Sequence, residues 1–161
     1  MTSDPPANIE KVETLPGFGL RLKFRKGGWR KVDLEGFVSR YKSVAKLAEP
    51  ARFAKAKVID WGAAIGWPGD IGIGADTLLR LSQEQASFGP PQFTAWQERA
   101  NLSNQECADV LGLALTTIKS YRRAGATIPD AVAIACRAME NEPATLAAHF
   151  RPRRSGRPKA A

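Results

Sequence analysis

Between Leu20 and Phe24 every second residue is apolar, while Arg21, Lys23 and Arg25 occupy the alternate positions. A period of two places the two sets on opposite faces of a half-buried strand. Lys26-Gly27-Gly28 then turns the chain. Trp29, Val32 and Leu34 mark a returning strand with an irregularity after the two glycines, and Ile9 to Leu15 mark a preceding strand. The pattern continues with a short helix around Phe37 to Leu47, short strands at Val58 to Trp61 and Ile65 to Trp67, and a closing helix from Asp76 to Leu81 with the aspartate as its cap. Trp61 and Trp67 are expected to fill the small core of this half, with an exposed, partner-binding role as the alternative.

Periodicity is lost from Leu81 to Pro91, where Ser82, Ser87 and Gly89-Pro90-Pro91 mark a linker. Beyond it the period is helical. Phe93 to Ala100 form one predicted helix, and Ser103 followed by Glu106 forms a capping box that starts a second. Cys107, Ala108 and Leu111 keep the helical spacing, and Gly112 supplies the left-handed turn that ends the helix. A third helix is predicted from Leu115 to Ala124, and a fourth from Pro129 to Glu140. At about 100° per residue, Ile118 and Tyr121 share a face to be buried. Thr116, Lys119, Ser120 and Arg123 form the opposite polar face, flanked by Thr117 and Arg122. The fold class is α+β: an antiparallel-sheet domain with short helices (1–81), a linker (82–91), an all-α domain (92–148) and a basic tail (149–161).

Leu102-Ser103, Glu106, Ala108, Leu111-Gly112, Ile118 and Tyr121 make residues 91–145 resemble the helix-turn-helix of the lambda-repressor and Cro class, the XRE family. The resemblance implies binding to duplex DNA. Asn104 would touch a phosphate at the start of the scaffold helix, and Leu115, Thr116, Thr117, Lys119 and Ser120 would enter the major groove, with Arg122 and Arg123 beside them. The chain departs from the family at Ala114, where a small hydroxyl cap is usual, at Leu115, where a polar base reader is common, and at Arg122, which replaces a frequent acidic residue.

Ile9 to Leu15, the alternation from Leu20 to Phe24, Val32-Asp33-Leu34, Pro50 with Phe53, Val58, Trp67-Pro68-Gly69-Asp70-Ile71, and Asp76 with Leu78 are similar to the family known only as domain of unknown function 2442. That resemblance, over residues 8–81, implies a small α+β domain without established catalysis. It also implies pairing with a small neighbouring protein, as antitoxin with toxin.

The net charge of +8 is unevenly distributed. Residues 1–80 hold 14 Lys or Arg against 9 Asp or Glu, residues 81–150 hold 5 against 7, and residues 151–161 hold 5 against none. The helical half is therefore not basic overall, and its phosphate attraction must come from Lys119, Arg122 and Arg123, from the tail, or from a homodimer that doubles both. The tail, Arg151-Pro-Arg-Arg-Ser-Gly-Arg-Pro-Lys159, is too polar to fold alone. It is similar to an AT-hook through Arg153, Arg154, Gly156, Arg157 and Pro158, with Ser155 in place of the first arginine. A solubilising or nonspecific phosphate-binding tail is the other reading.

Two cysteines at apolar helical positions and one histidine do not make an ordinary structural zinc site, so no metal or cofactor is expected. Gly62, Gly66, Gly69, Gly72 and Gly74 lack the strand-to-helix context of a phosphate loop, and Asp60, Asp70 and Asp76 are expected to be solvated or capping. With no nucleophile and base pair, no apolar span and no secretory signal in the sequence, the expectation is a cytoplasmic DNA-binding regulator that is not an enzyme. The rival from another class is a protein-interaction adaptor whose helical domain no longer binds DNA.

Overall fold

A computed structural model describes residues 6–152. The architecture is α+β, and the chain folds as two compact units, Met1–Ala86 and Ser87–Ala161. Each has its own apolar core.

The first unit opens with a three-stranded antiparallel sheet in the order β1 (Ile9–Thr14), β2 (Gly19–Phe24), β3 (Gly28–Asp33). Leu20, Leu22 and Phe24 are buried, as their alternation predicts. The β2–β3 register is unbroken, and the irregularity expected after the glycines lies instead between β1 and β2, at Ile9 and Lys11. That register sets Trp29 opposite Lys23, on the outer face, away from Val32 and Leu34.

The helix expected over Phe37 to Leu47 is two pieces. These are α1 (Glu35–Arg40) and a 3₁₀ segment Lys42–Ala48, separated by Tyr41 in an extended conformation. A short α2 (Pro50–Phe53) follows. A second antiparallel sheet runs β4 (Lys57–Ile59), β5 (Ala64–Trp67), β6 (Ile71–Gly74). It leads into α3 (Ala75–Glu84), which starts at Gly74 without a side-chain cap, so Asp76 is not the expected cap. Its carboxylate accepts from the Ala7 amide at 2.8 Å. The far end of α3 is tied to β3 by Gln85, which accepts from the Asp33 amide at 2.8 Å and donates to the Asp33 carbonyl at 2.7 Å.

The two tryptophans expected in this core separate. Trp67 is buried, and its indole N–H donates to the Phe53 carbonyl at 2.9 Å. Trp61 is 95% exposed. The strand ends at Ile59, and Asp60, Trp61 and Gly62 take φ of 49°, 53° and 95°, a left-handed run that carries the indole outward. Each non-glycine residue in that region costs about 1–2 kcal/mol, so other contacts must impose it. One is Asn8, whose side-chain amide donates to the Trp61 carbonyl at 2.7 Å.

The second unit contains α4 (Pro90–Arg99), α5 (Asn104–Leu111), α6 (Leu115–Tyr121), α7 (Asp130–Asn141) and α8 (Pro143–His149). Both Pro90 and Pro91 lie inside α4, at the first two positions, where a missing N–H leaves no intrahelical bond unmade. The Gly89-Pro90-Pro91 step therefore starts a helix. With α3 continuing through Ser82 to Glu84, only 85–89 lie outside helices in the stretch read as a linker. Phe93, Trp96, Cys107, Ala108, Ile118, Tyr121, Val132 and Cys136 are buried between the helices. Burial pushes the Cys107 and Cys136 thiols up to about 12, which keeps them protonated and unreactive near neutral pH. Among the described residues no group of His, Cys, Asp and Glu could hold a metal, and no helix is long and apolar enough to cross a membrane.

Candidate nucleic-acid interface

The capping box closes as its residue types dictate. The Glu106 amide donates to Ser103 Oγ at 3.1 Å, and the Ser103 amide donates to the Glu106 carboxylate at 2.8 Å. Gly112 ends α5 at φ 65°, a conformation that disfavours any side chain, and the chain re-enters a helix three residues later. Ala114 occupies the N-cap of α6 and offers no side-chain bond, so the departure noted in the sequence leaves the first amides of α6 uncapped.

Ile118 and Tyr121 point into the core, as the helical spacing requires. Thr116 and Lys119 are exposed on the other side, whereas Leu115, Thr117 and Ser120 are half-buried. The Ser120 hydroxyl donates to the Thr117 carbonyl at 2.9 Å, which commits its proton to the helix itself. The helix is shorter than expected and stops at Tyr121. Arg123 lies beyond it in a tightened turn, its amide donating to the Ser120 carbonyl at 3.0 Å, and Gly125 at φ 79° completes the departure. Arg123 remains exposed, but the helical angle assigned to it does not apply. The tail residues Arg153, Arg154, Gly156, Arg157 and Pro158 lie outside the described residues.

Arg122 and Asn104 are connected through Gln97, a residue absent from the sequence-predicted site. Gln97 is 3% exposed on α4. Its Oε1 accepts from the Arg122 guanidinium at 2.6 Å, while its Nε2 donates to the Leu102 carbonyl at 3.1 Å and to Asn104 Oδ1 at 2.9 Å. One amide thus joins the first helix of the unit, the start of α5 and the end of α6. The Arg122 guanidinium has a neutral acceptor on the neighbouring helix. The sequence does carry a signal for it: Gln97 follows Phe93 and Trp96 at helical spacing, so a polar group sits in an apolar stripe and needs partners. Arg122 is therefore a fixed cation at the edge of the polar face, and Asn104 keeps only its amide N–H₂ to offer an external oxygen.

Comparison with known proteins adds three findings. A solved structure described as "Putative DNA Binding Protein NE0471 from Nitrosomonas europaea ATCC 19718" is 25% identical, with 96% of this chain and 94% of that chain covered and a TM-score of 0.48. No curated protein matches the chain. Residues 9–84 match the model of the family described as "Protein of unknown function (DUF2442)".

Proposed function

We propose that the chain is a DNA-binding transcriptional regulator whose second unit reads duplex DNA as a lambda-repressor-like helix-turn-helix. The observation that carries this reading is the face of α6. Thr116 and Lys119 stand in solvent over a helix whose opposite side is locked by Ile118 and Tyr121, with the fixed Arg122 and the exposed Arg123 at one end. Hydroxyl and cationic groups on a rigid helix suit base edges and phosphates in a major groove. The chain acts in this reading as a homodimer on two half-sites about 34 Å apart. Ile134, 59% exposed on α7, is a large apolar side chain available on the same unit for pairing.

The test is fluorescence anisotropy on duplexes recovered with the protein from genomic fragments. Lys119→Ala combined with Arg123→Ala is expected to weaken binding about 10–100-fold and to lower the salt dependence by about two counterions. Unchanged affinity and slope would remove α6 from the interface. Absence of duplex binding by the unaltered chain would favour the adaptor reading.

A second reading, that the first unit receives a small protein partner as an antitoxin receives its toxin, is favoured by Trp61. Its indole contributes little to the core, yet the backbone is held in a costly conformation that presents it. Trp61→Ala is expected to leave the thermal transition within about 0.5 kcal/mol of the unaltered chain. It should also abolish co-purification with the product of the adjacent gene. Undiminished co-purification would exclude Trp61 from such an interface.

A further inference from the structure

The outer face of the β1–β2–β3 sheet has a charge pattern that the helix-turn-helix does not use. Cross-strand pairing sets Lys11, Lys23 and Trp29 in one row and Glu13, Arg21 and Lys31 in the next, all on the side away from Leu20, Leu22 and Val32. Residues 9–33 contain seven Lys or Arg (11, 21, 23, 25, 26, 30, 31) against three acids (10, 13, 33). Residues 34–86 contain seven against six, and residues 87–150 contain five against six. The positive excess of the described chain is therefore concentrated in this meander.

Two acids temper it, Glu13 at 3.1 Å from Arg21 and Glu10 at 3.1 Å from Lys23. Lys11 opposite Lys23 and Arg21 opposite Lys31 are nevertheless like charges directly across a sheet, an arrangement that destabilises the isolated domain. A bound polyanion would relieve it.

We propose that this face binds the phosphate backbone of duplex DNA. The inference rests on the DNA-binding reading above and adds to it, since residues 87–150, which carry the helices, hold five Lys or Arg against six acids and by themselves gain little from long-range attraction. Trp29 decides between duplex and single strand. It is 38% exposed, but the Arg21 guanidinium lies 4.4 Å from its ring centroid and covers one face. A single-strand site uses open aromatic faces as base platforms. Here one ring face carries a guanidinium that Glu13 also holds, so Trp29 supports charge instead of stacking a base, and the free outward phosphate ligands are Lys11 and Lys31.

The experiment uses the full chain with Lys11→Gln and Lys31→Gln combined, two exposed cations of the outer face outside both ion pairs. Duplex affinity in dilute salt is expected to fall about 10-fold, and the slope of log affinity against log salt to fall by about two. The ranking of duplex sequences should be unchanged, and the thermal transition equal or higher. Unchanged affinity and slope in this variant, with binding still lost in the Lys119→Ala/Arg123→Ala variant, would overturn the proposal and leave the helix-turn-helix reading standing. Loss in the sheet variant alone would keep the sheet and remove α6. Two further results would each overturn the proposal: tighter binding of a single strand than of duplex, or polyglutamate bound more tightly than duplex at equal salt and released by the same two substitutions.

Discussion

Gly62→Ala is expected to destabilise the first unit by about 3 kcal/mol, the sum of an L-residue forced into the left-handed region and a steric overlap in a packed interior. Gly62 has φ +95°, and a Cβ there would stand 2.6 Å from the Ile9 carbonyl oxygen and 2.7 Å from Asn8 Oδ1. The first of these is backbone of β1, which is itself paired to β2 and lacks a free rotamer to yield. Against a total stability of about 5–15 kcal/mol for an ordinary domain, such a loss leaves a marginal fold. Hydrogen exchange at the amides of β4 and β5 reads it directly, and their protection should drop by about two orders of magnitude. Gly72→Ala is the control. Its Cβ would meet its nearest atoms at 3.7 Å, ordinary contact, and the substitution should be neutral or stabilising by about 0.5 kcal/mol. Equal protection in the two variants would refute the close approach at Gly62.

Gln97→Leu is expected to have an effect of the same size in the second unit. The shape is nearly retained, but the Leu102 carbonyl loses its side-chain donor, Asn104 Oδ1 loses its own, and the Arg122 guanidinium loses its acceptor. Stranded polar groups cost about 1–3 kcal/mol each when they stay buried, and bonds to charged groups lie at the upper end of that range. Arg122 is exposed and can recover water, so the loss for the set is about 3 kcal/mol. In a unit of this size that lowers the melting temperature by about 12–20 °C. Adding Arg122→Ala should cost less in the Gln97→Leu background than in the unaltered chain, because the shared bond is already absent. Additive losses would show that the two residues do not act as one network.

What is legible in the sequence is local. Ser103 with Glu106, Gly112, and the alternation of Leu20, Leu22 and Phe24 state their conformations within a few residues, and each element forms where its pattern places it. What is not legible depends on distant partners. Nothing near Trp61 announces a left-handed backbone, because the Asn8 amide that holds it comes from 53 positions away. The outward Trp29 is a matter of register, decided by pairing with Lys23. Strand β6 escapes the pattern because Gly72 and Gly74 alternate with Ile71 and Ile73, and glycines in that number resemble turns more than a strand. Helix α6 is three residues shorter than its polar periodicity suggests, since that periodicity runs on through Arg123 while the tight turn before Gly125 ends the helix. Among the residues assigned to the candidate site, side-chain chemistry is readable but availability is not. Ser120 spends its proton on Thr117, and Arg122 is held by Gln97.

In the proposed DNA-binding role, the seven residues of α6 limit how much sequence information one copy of this chain could extract. At about 1.5 Å per residue the helix is about 10 Å long, the length of about three base-pair steps. A word of about three or four letters recurs by chance roughly once in 10² base pairs, whereas a genome offers about 10⁶ or more competing positions. A single α6, with its serine hydroxyl already engaged, therefore describes a common address. Two copies reading together would raise the word to about six to eight letters, recurring about once in 10³–10⁵ base pairs. In a proposed regulator of this design, selectivity is set by how many chains must be seated at once, and a change in their concentration alters which sites are occupied as well as how many.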